Sequence, residues 1–562
     1  MKNPLRPFAL LAALAGASLA SAAIEQVTVL TARPERFGRV DFDVLLTAEW
    51  TNPFRSAEVA LDLELVAPSG RRLVLPAYHV SGRSGELSIW HARFAPAETG
   101  EYRGAFVLAG PAGREASAPL AFTVAASARR GFLHPRDHWT FQYDDGTPFR
   151  ALGENLGWEA RADDDSKFFR ALHQSPRYHY EYMLGTLAAH GGNFFRTWMC
   201  SWNLPLEWHR TVDTDRYTPD DAHFNASAAR RLDELVALAD SLGVHLMLTL
   251  DTGSAFLGRD WALNSYNRAN GGPAATALEF FTAPAAKAQY RDRLRYLVAR
   301  WGWSPSIAAW EFFNEIDNLM YGVEPRLPDA VVTAWHDEMS RHLRQLDPYG
   351  RLITTSISHR DVEGLNNLPA IDFNQRHIYR NTAGIPATLR DYTARTGRPY
   401  VIGEFGYEWD WNKNFDEFAP EMDRDFRRGL WFGLFSPTPI LPLSWWWEWF
   451  DARGRTADFA PVRTVLDRML AAGHGSFAET ECTTGNPAVP ALAVRCGAST
   501  FVYLWQDSAT PLPVTVSLPP APASPGRIRS FQPTTGLWTE HPAAPAPEVT
   551  VPAHGDLVVV FE

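Results

Sequence analysis

Cysteine is nearly absent here: the 562 residues include three, Cys200, Cys482 and Cys496. At most one disulfide is possible. In an oxidising compartment Cys482 and Cys496 could pair and close a short loop near the C-terminus. Cys200 is then left over. No motif surrounds it, so it reads as a small buried hydrophobe and not as a nucleophile. Positive charge is also short, with 53 Lys and Arg against 64 Asp and Glu, a net charge of −11. A nucleic-acid partner would need a basic surface, so this balance argues against one. No like-charge run exceeds Asp163-Asp164-Asp165, so there is no charged tail. That triplet reads as a solvated loop, because no second ligand cluster has metal-like spacing. Beyond the first 22 residues no segment is long and apolar enough to span a bilayer. No internal repeat of useful period occurs.

What is plentiful is aromatic: 13% Phe, Trp and Tyr, including 21 Trp. Aromatic faces suit the apolar C–H faces of sugar rings, but Trp also fills large cores, so composition only favours a carbohydrate partner. The hydrophobic share of 46% and charged share of 21% fit a folded soluble protein. The length calls for two to four domains.

Residues 1–22 read as a signal peptide. Lys2 and Arg6 start it, Pro7 to Ala20 is apolar, and Ala20-Ser21-Ala22 offers a small-x-small cleavage site. The apolar run is too short for a span of ~20 residues, so a retained membrane anchor is disfavoured. No cysteine adjoins the site to take a lipid. The expected location is secreted or periplasmic, with no membrane insertion after cleavage.

Residues 23–128 show short alternating runs between turns, such as Val59 to Val66, then Pro68-Ser69-Gly70, then Arg72 to Leu75. They predict an N-terminal, Ig-like β-sandwich. From 131 to 473 apolar strands alternate with amphipathic helices. One helix, Ala229–Leu242, carries Leu232, Leu235, Val236, Leu238, Ala239 and Leu242, and Gly243 stops it. Eight strands begin near Phe149, Asn193, Val244, Ile307, Leu352, Ile371, Tyr400 and Leu441. Eight strand–helix units in this length predict a (β/α)8 TIM barrel. The runner-up, an open doubly wound sheet, lacks a Gly-rich phosphate loop after an early strand. Residues 478–562 are again all-β and predict a second small sandwich. The expected fold is therefore multidomain, a central barrel flanked by two β-sandwiches.

On a barrel, catalytic groups stand at the C-terminal strand ends. The fourth strand ends Trp310-Glu311-Phe312-Phe313-Asn314-Glu315, and the seventh reads Tyr400-Val401-Ile402-Gly403-Glu404. A charge at the end of an apolar strand is costly unless it is paired or used. The two glutamates, three βα units apart, face each other across the mouth. Hydrolysing a glycosidic bond needs such a pair, one acid for the leaving oxygen and one carboxylate for the sugar carbon.

These residues resemble clan A of the glycoside hydrolases, and most closely family 5, the cellulase and mannanase family. In that clan the Asn-Glu pair of the fourth strand supplies the acid/base and the seventh-strand Glu the nucleophile. Asn314-Glu315 and Glu404 match. Asn193-Phe194-Phe195-Arg196 resembles the second-strand motif, whose Arg keeps the nucleophile charged. His377-Ile378-Tyr379 resembles the sixth-strand His-x-Tyr, and Ser444-Trp445-Trp446-Trp447 the eighth-strand end, where a Trp floors the sugar site. Two positions depart: Ile316 replaces the Pro that often follows Asn-Glu, and Asp251 ends the third strand where many members carry His. Residues 24–128 resemble an uncharacterised module that often precedes such barrels. The C-terminal segment resembles a small module labelled collagen-binding in some relatives, of which only the fold is carried over.

The resemblance implies a retaining hydrolase of a β-linked oligo- or polysaccharide, of β-mannan or β-glucan type. Glu315 would be the acid/base, kept protonated, and Glu404 the nucleophile, kept ionised beside Arg196 and Tyr379. Asn314 would hold the sugar 2-hydroxyl, while Arg196, His377, Tyr379 and Trp446 would support the site. Trp446 is chosen because period two points it opposite to Trp445 and Trp447. Glu311 shares the strand face of Glu315 by the same rule and reads as supporting. No metal or organic cofactor is needed. The rival reading is a carbohydrate-binding protein on an inactive barrel, which would not need the full set Glu315, Glu404, Arg196 and Tyr379.

Overall fold

The computed structural model describes residues 22–111, 113–208, 210–218, 223–324, 326–518 and 526–562. Apart from Ala22, the signal peptide expected from the sequence lies outside them. Among the described residues, no helix is long and apolar enough to cross a membrane.

The chain opens with two antiparallel sheets around one core. The first orders Ala23–Val29, Val40–Thr47, Leu87–Phe94 and Tyr78–Ser81; the second holds Arg72–Pro76, Ala60–Val66, Gly100–Gly110, Gly113–Ala116 and Leu120–Val124. Strand alternation decides what lies between them. Val40, Phe42, Val44 and Leu46 point inward from one sheet and meet Leu61, Leu63, Leu65 and Phe106 from the other. Each such buried side chain stabilises the fold by about 1.5–3 kcal/mol.

The central region is a closed ring of parallel strands. They are β1 Gly153–Asn155, β2 Phe194–Trp198, β3 His245–Thr252, β4 Ile307–Asn314, β5 Leu352–Thr354 continuing as Ser356–Ile357, β6 Asn374–Tyr379 and β7 Tyr400–Gly406. Neighbours pair in that order. An eighth segment, β8 at 440–444, closes the ring: Ile440 bridges Ala151, and Ser444 bridges both Glu154 and Phe405. The first two strands touch so closely that a Cβ on Gly153 would lie 1.6 Å from the Phe194 carbonyl oxygen, so only glycine fits there.

Among the described residues, seven long helices pack outside: α1 Tyr180–Ala189, α2 Ala226–Leu242, α3 Pro284–Trp301, α4 Asp329–Leu346, α5 Ile385–Thr396, α6 Ala419–Leu434 and α7 Phe459–Gly473. Helix α2 starts three residues earlier than its periodicity predicts. The Asn225 side chain caps it by accepting the Ala228 N–H at 3.0 Å, and Gly243 ends it at φ 66°. Its buried stripe is Ala228, Ala229, Leu232, Leu235, Val236 and Ala239.

Two expectations need correction. The connection after β5 is not an α-helix but a three-residue 3-10 turn, Leu365–Asn367. That stretch contains Gly364, Asn366, Asn367 and Pro369, all poor helix formers. Its start is pinned instead by the Asp317 carboxylate, which accepts the N–H groups of Ser358, His359 and Arg360. Phe149 does not begin the first ring strand either. Pro148–Phe149 pairs antiparallel with Phe141–Tyr143, which pairs with Leu133–Pro135. Leu133, Phe141 and Phe149 from this small sheet pack with Phe194, Met247, Leu352 and Val401, closing the end of the ring where the strands begin.

A six-stranded antiparallel sheet, from Ala478–Thr480 to Asp556–Phe561, and a pair, Leu512–Thr515 with Glu548–Val551, finish the chain. Alternation in Ser499–Trp505 feeds two cores. Phe501 and Tyr503 face the ring's helices, where Tyr503 stacks on Trp431 at 5.6 Å; Val502 and Leu504 face the strand pair. All three cysteines are free thiols, and for Cys482 and Cys496 these two cores explain it. Cys496 belongs to the first of these cores and Cys482 packs at the edge of the second, so the sheet separates them.

Candidate active site

Arg196 organises the strand ends. The apolar strand β2 buries it completely, and all five guanidinium N–H directions find acceptors. Nε and Nη2 fork onto Glu311 at 2.6 and 2.8 Å, and Nη2 also reaches Asn314 Oδ1 at 2.7 Å. Nη1 donates to Glu404 Oε1 at 2.8 Å and to Asn155 Oδ1 at 3.0 Å. A buried cation is tolerable only with such pairing, and here it neutralises carboxylates from β4 and β7 together. Thr249 adds a 2.7 Å hydrogen bond to Glu311.

Strict alternation does not explain how β4 presents its residues. Phe312 and Phe313 both pack against Trp335, with ring centroids 5.7 and 5.5 Å away. Asn314 therefore turns inward to Arg196 beside Glu311. Glu315 follows in the left-handed region, φ 50° and ψ 54°, a conformation that costs of order 1–3 kcal/mol for a non-glycine residue. Its N–H donates to Ser356 Oγ at 3.0 Å, and Asn318 donates to its Oε2 at 2.8 Å.

Strand β7 brings Glu404 opposite. The Tyr379 hydroxyl donates to Glu404 Oε2 at 2.7 Å. His377 stands between the glutamates, its Nδ1 2.7 Å from Glu315 Oε1 and 3.3 Å from Glu404 Oε2. One nitrogen or oxygen from each of the three groups lies within 4.8 Å of the other two. The glutamate side chains differ in access: Glu315 is 21% exposed and Glu404 5%. Gly403 makes room, since a Cβ there would meet Gln375 Oε1 at 2.2 Å and His377 Nε2 at 3.2 Å.

The pKa directions reverse the sequence expectation for the two glutamates. Burial pushes Glu404 up against the pull of His377 and Arg196, and the Glu315 charge adds to the rise. Burial also raises Glu315, but His377 and Arg196 outweigh it and hold that carboxyl below its ordinary value. His377 itself is raised: burial opposes its charge, but Glu404 and Glu315 together retain the proton. The physical reason is His377, a third titrating group between the two. With the proton on its imidazole, Glu315 is the ion-pair partner. Moved along the 2.7 Å hydrogen bond, the same proton would leave Glu315 neutral, while Glu404 keeps Arg196 and Tyr379.

Trp446 is also left-handed, φ 31°, so the period of two ends before it. Its ring stacks on Phe169 at 5.1 Å, meets Phe415 edge-on, and donates its indole N–H to the Glu408 carbonyl at 2.6 Å. Trp445 instead lies against Trp198 at 5.0 Å, whose ring is 5.7 Å from the Arg196 guanidinium. The structure thus brings Arg196, Asn314, Glu315, His377, Tyr379 and Glu404 into one cluster, and sets Trp446 in an aromatic group beside it.

Asn155 escaped the sequence reading. It accepts from Arg196 and donates to the carbonyls of Gly403 and Ser444 at 3.0 Å each, tying β1 to β7 and β8. Its signal is the polar pair Glu154-Asn155 that ends the first ring strand, Gly153–Asn155. Asp251, at the end of β3, is paired with Arg293 at 3.0 Å and takes the Tyr290 hydroxyl at 2.9 Å. The Asp163-Asp164-Asp165 segment is not simply solvated. Asp164 is buried, pairing with Arg161 and with His173 at 3.0 Å, so it anchors the loop after β1.

Comparison with known proteins follows this geometry. Over 252 residues the chain is 27% identical to mannan endo-1,4-beta-mannosidase A of Podospora anserina, covering 40% of this chain and 60% of that one. It is 25% identical over 313 residues to mannan endo-1,4-beta-mannosidase 1 of Oryza sativa subsp. japonica, covering 47% and 66%. Its relatives are mannan endo-1,4-beta-mannosidases. The chain spans about three-fifths to two-thirds of the length of these two relatives. A solved structure from Bacteroides vulgatus, described as a candidate glycoside hydrolase, has the same fold, with TM-score 0.62 at 14% identity, covering 94% of this chain and 99% of that one. Residues 33–104 match a family described as a domain of unknown function, DUF5060.

Proposed function

We propose that this protein is a retaining glycoside hydrolase of β-linked polysaccharides, with β-mannan the first substrate to test. One observation supports the mechanism: at least one carboxylate oxygen of Glu315 lies within 4.8 Å of one of Glu404, and His377 Nδ1 reaches both groups. Retaining pairs stand about 5–5.5 Å apart, whereas inverting pairs need about 6.5–9.5 Å to admit a water. The mannan preference rests on the names of the relatives.

In this reading Glu404 attacks the anomeric carbon. Arg196 and Tyr379 hold its charge in place, and neither partner loses its proton in the working pH range. Glu315, the more exposed of the two, takes the proton from His377 and passes it to the leaving oxygen. The glycosyl–Glu404 ester then forms, and Glu315 removes a proton from the water that opens it. Asn314 uses its oxygen on Arg196, so its amide N–H group is left to donate to the sugar 2-hydroxyl. Glu311 and Asn155 position Arg196 and do not touch substrate.

The test is release of reducing ends from β-mannan and β-glucan by the wild type and by Glu404→Gln. The amide keeps the shape but cannot attack carbon. Turnover is expected to vanish with the melting temperature nearly unchanged. A Glu404→Gln enzyme as active as wild type would overturn the assignment.

A further inference from the structure

Among the described residues, the most exposed aromatic side chains are Phe168, Tyr321, Tyr407, Trp409 and Trp411. All five follow ring strands at the ends that carry Glu315 and Glu404, and none lies in the outer sheets. Two guanidinium groups, of Arg326 and Arg360, already lie over the Tyr321 ring at 3.8 and 4.0 Å. The other side of the mouth is more open. There the loop after β7 exposes Tyr407, Trp409 and Trp411 by 39%, 56% and 47%.

That loop is rigidly held. The Glu408 carboxylate accepts the N–H groups of Trp409 and Asp410 at 2.9 and 3.1 Å, and pairs with Arg380 at 2.9 Å and with Lys413. Arg380, directly after Tyr379, lies over the Trp409 ring at 5.1 Å. Trp446 fastens the Glu408 carbonyl from the β8 side. An exposed tryptophan on a fixed backbone loses little entropy when a ligand covers it.

Beyond Tyr407 the surface dips into a cleft of about 490 Å³, between the loops after β6 and β7, helix α6 and the C-terminal sheet. Tyr407 and Trp505 supply aromatic surface. Helix α6 lines one wall with Glu421, Arg424, Asp425 and Arg428, and Asp507 stands on another, paired with Arg428 at 2.9 Å. Nearly balanced charge disfavours an ionic ligand. Planar hydrogen-bonding groups beside aromatic rings suit a neutral polyhydroxylated one, and the volume is that of a small-ligand site.

We propose that this junction cleft is a second carbohydrate-binding site, holding a distant stretch of the β-linked chain being cut. The loops after β6 and β7 lead to it from the glutamates, one from Tyr379 through Arg380 to Thr382 and the other from Glu404 to Tyr407, with Trp409 just beyond. The proposal gives the C-terminal sheet a function through Trp505 and Asp507. Two weak sites on one chain act together, because the first contact raises the effective concentration at the second. The substrate class rests on the function proposed above, but the binding measurement does not depend on turnover.

The experiment uses the full chain with two readouts: retention in a native gel containing soluble β-mannan, and turnover of an aryl β-mannoside. Tyr407→Ala, Trp505→Ala and Asp507→Ala are compared with wild type. Asp507 is 64% exposed on its side chain, so its variant does not disturb packing. The expected result is about five- to tenfold weaker retention for each, with aryl-mannoside turnover unchanged. Absence of aryl-mannoside turnover in the wild type, with retention intact and lost in the variants, would support the cleft and sink the mannosidase reading. Retention that is absent in wild type, or unchanged in Asp507→Ala, overturns the cleft. Equal loss of retention and turnover, with unchanged melting temperature, also overturns it.

Discussion

His377 Nδ1 is bonded to Glu315 Oε1 at 2.7 Å, so the imidazole and this carboxyl hold one proton between them. Loss of that shared proton belongs to the pair and not to either residue. A proton with two homes is bound at least as tightly as in either home alone.

The pair sets a sign for pH dependence. His377 is raised above 6.5, so the proton is present below that raised value and is lost as pH rises through it. The alkaline limb of kcat/KM should therefore fall above the ordinary histidine value. In His377→Asn only Glu315 can hold the proton, and the limb should move to lower pH. The measurement is kcat/KM on an aryl glycoside from pH 4 to about 9. A limb that stays put, or moves up, would remove His377 from the proton path.

Arg196→Met would leave Glu311 and Glu404 buried beside each other without their cation. Removing one partner of a buried charge pair costs about 3–5 kcal/mol, so the melting temperature should drop. The double variant Arg196→Met with Glu311→Gln should regain part of the lost stability, without activity. Chemical denaturation of both variants checks this. No recovery in the double variant would mean that Arg196 acts by packing alone.

Glu315→Ala should separate the two steps of the reaction. A nitrophenyl group leaves without a proton, so the first step survives on that substrate. A natural sugar leaving group should lose about 10²–10⁴-fold. The glycosyl-enzyme should accumulate and give a burst. Azide, which needs no base, should release it as the β-azide from a β-glycoside. An α-azide would exchange the roles of Glu315 and Glu404.

Much of the molecule was legible in the sequence because local rules act there. The strand Tyr400 to Glu404 and the helix ending at Gly243 announced themselves through apolar period and cap. The candidate glutamates stood out because an apolar strand seldom ends in an unused charge. The errors came where a neighbour overrides the local rule. Strand period failed at Phe313, where Trp335 holds two successive phenylalanines on one side. It failed again at Trp446, where the backbone turns left-handed. A helix expected after β5 gave way to the hydrogen bonds of Asp317, a residue of the preceding crossover.

By itself, then, the sequence determined where the fourth and seventh strands end, that each end carries a glutamate, and that strand-rich regions flank an alternating one. Those are properties of order along the chain and of side-chain polarity. Only the tertiary structure decided that Asn155 completes the Arg196 shell, that Cys482 and Cys496 face different cores, and that His377 lies between Glu315 and Glu404. Each depends on distances between strands far apart in sequence. Protonation follows the same logic, because a buried carboxyl responds to charges a few ångströms away and not to its neighbours along the chain.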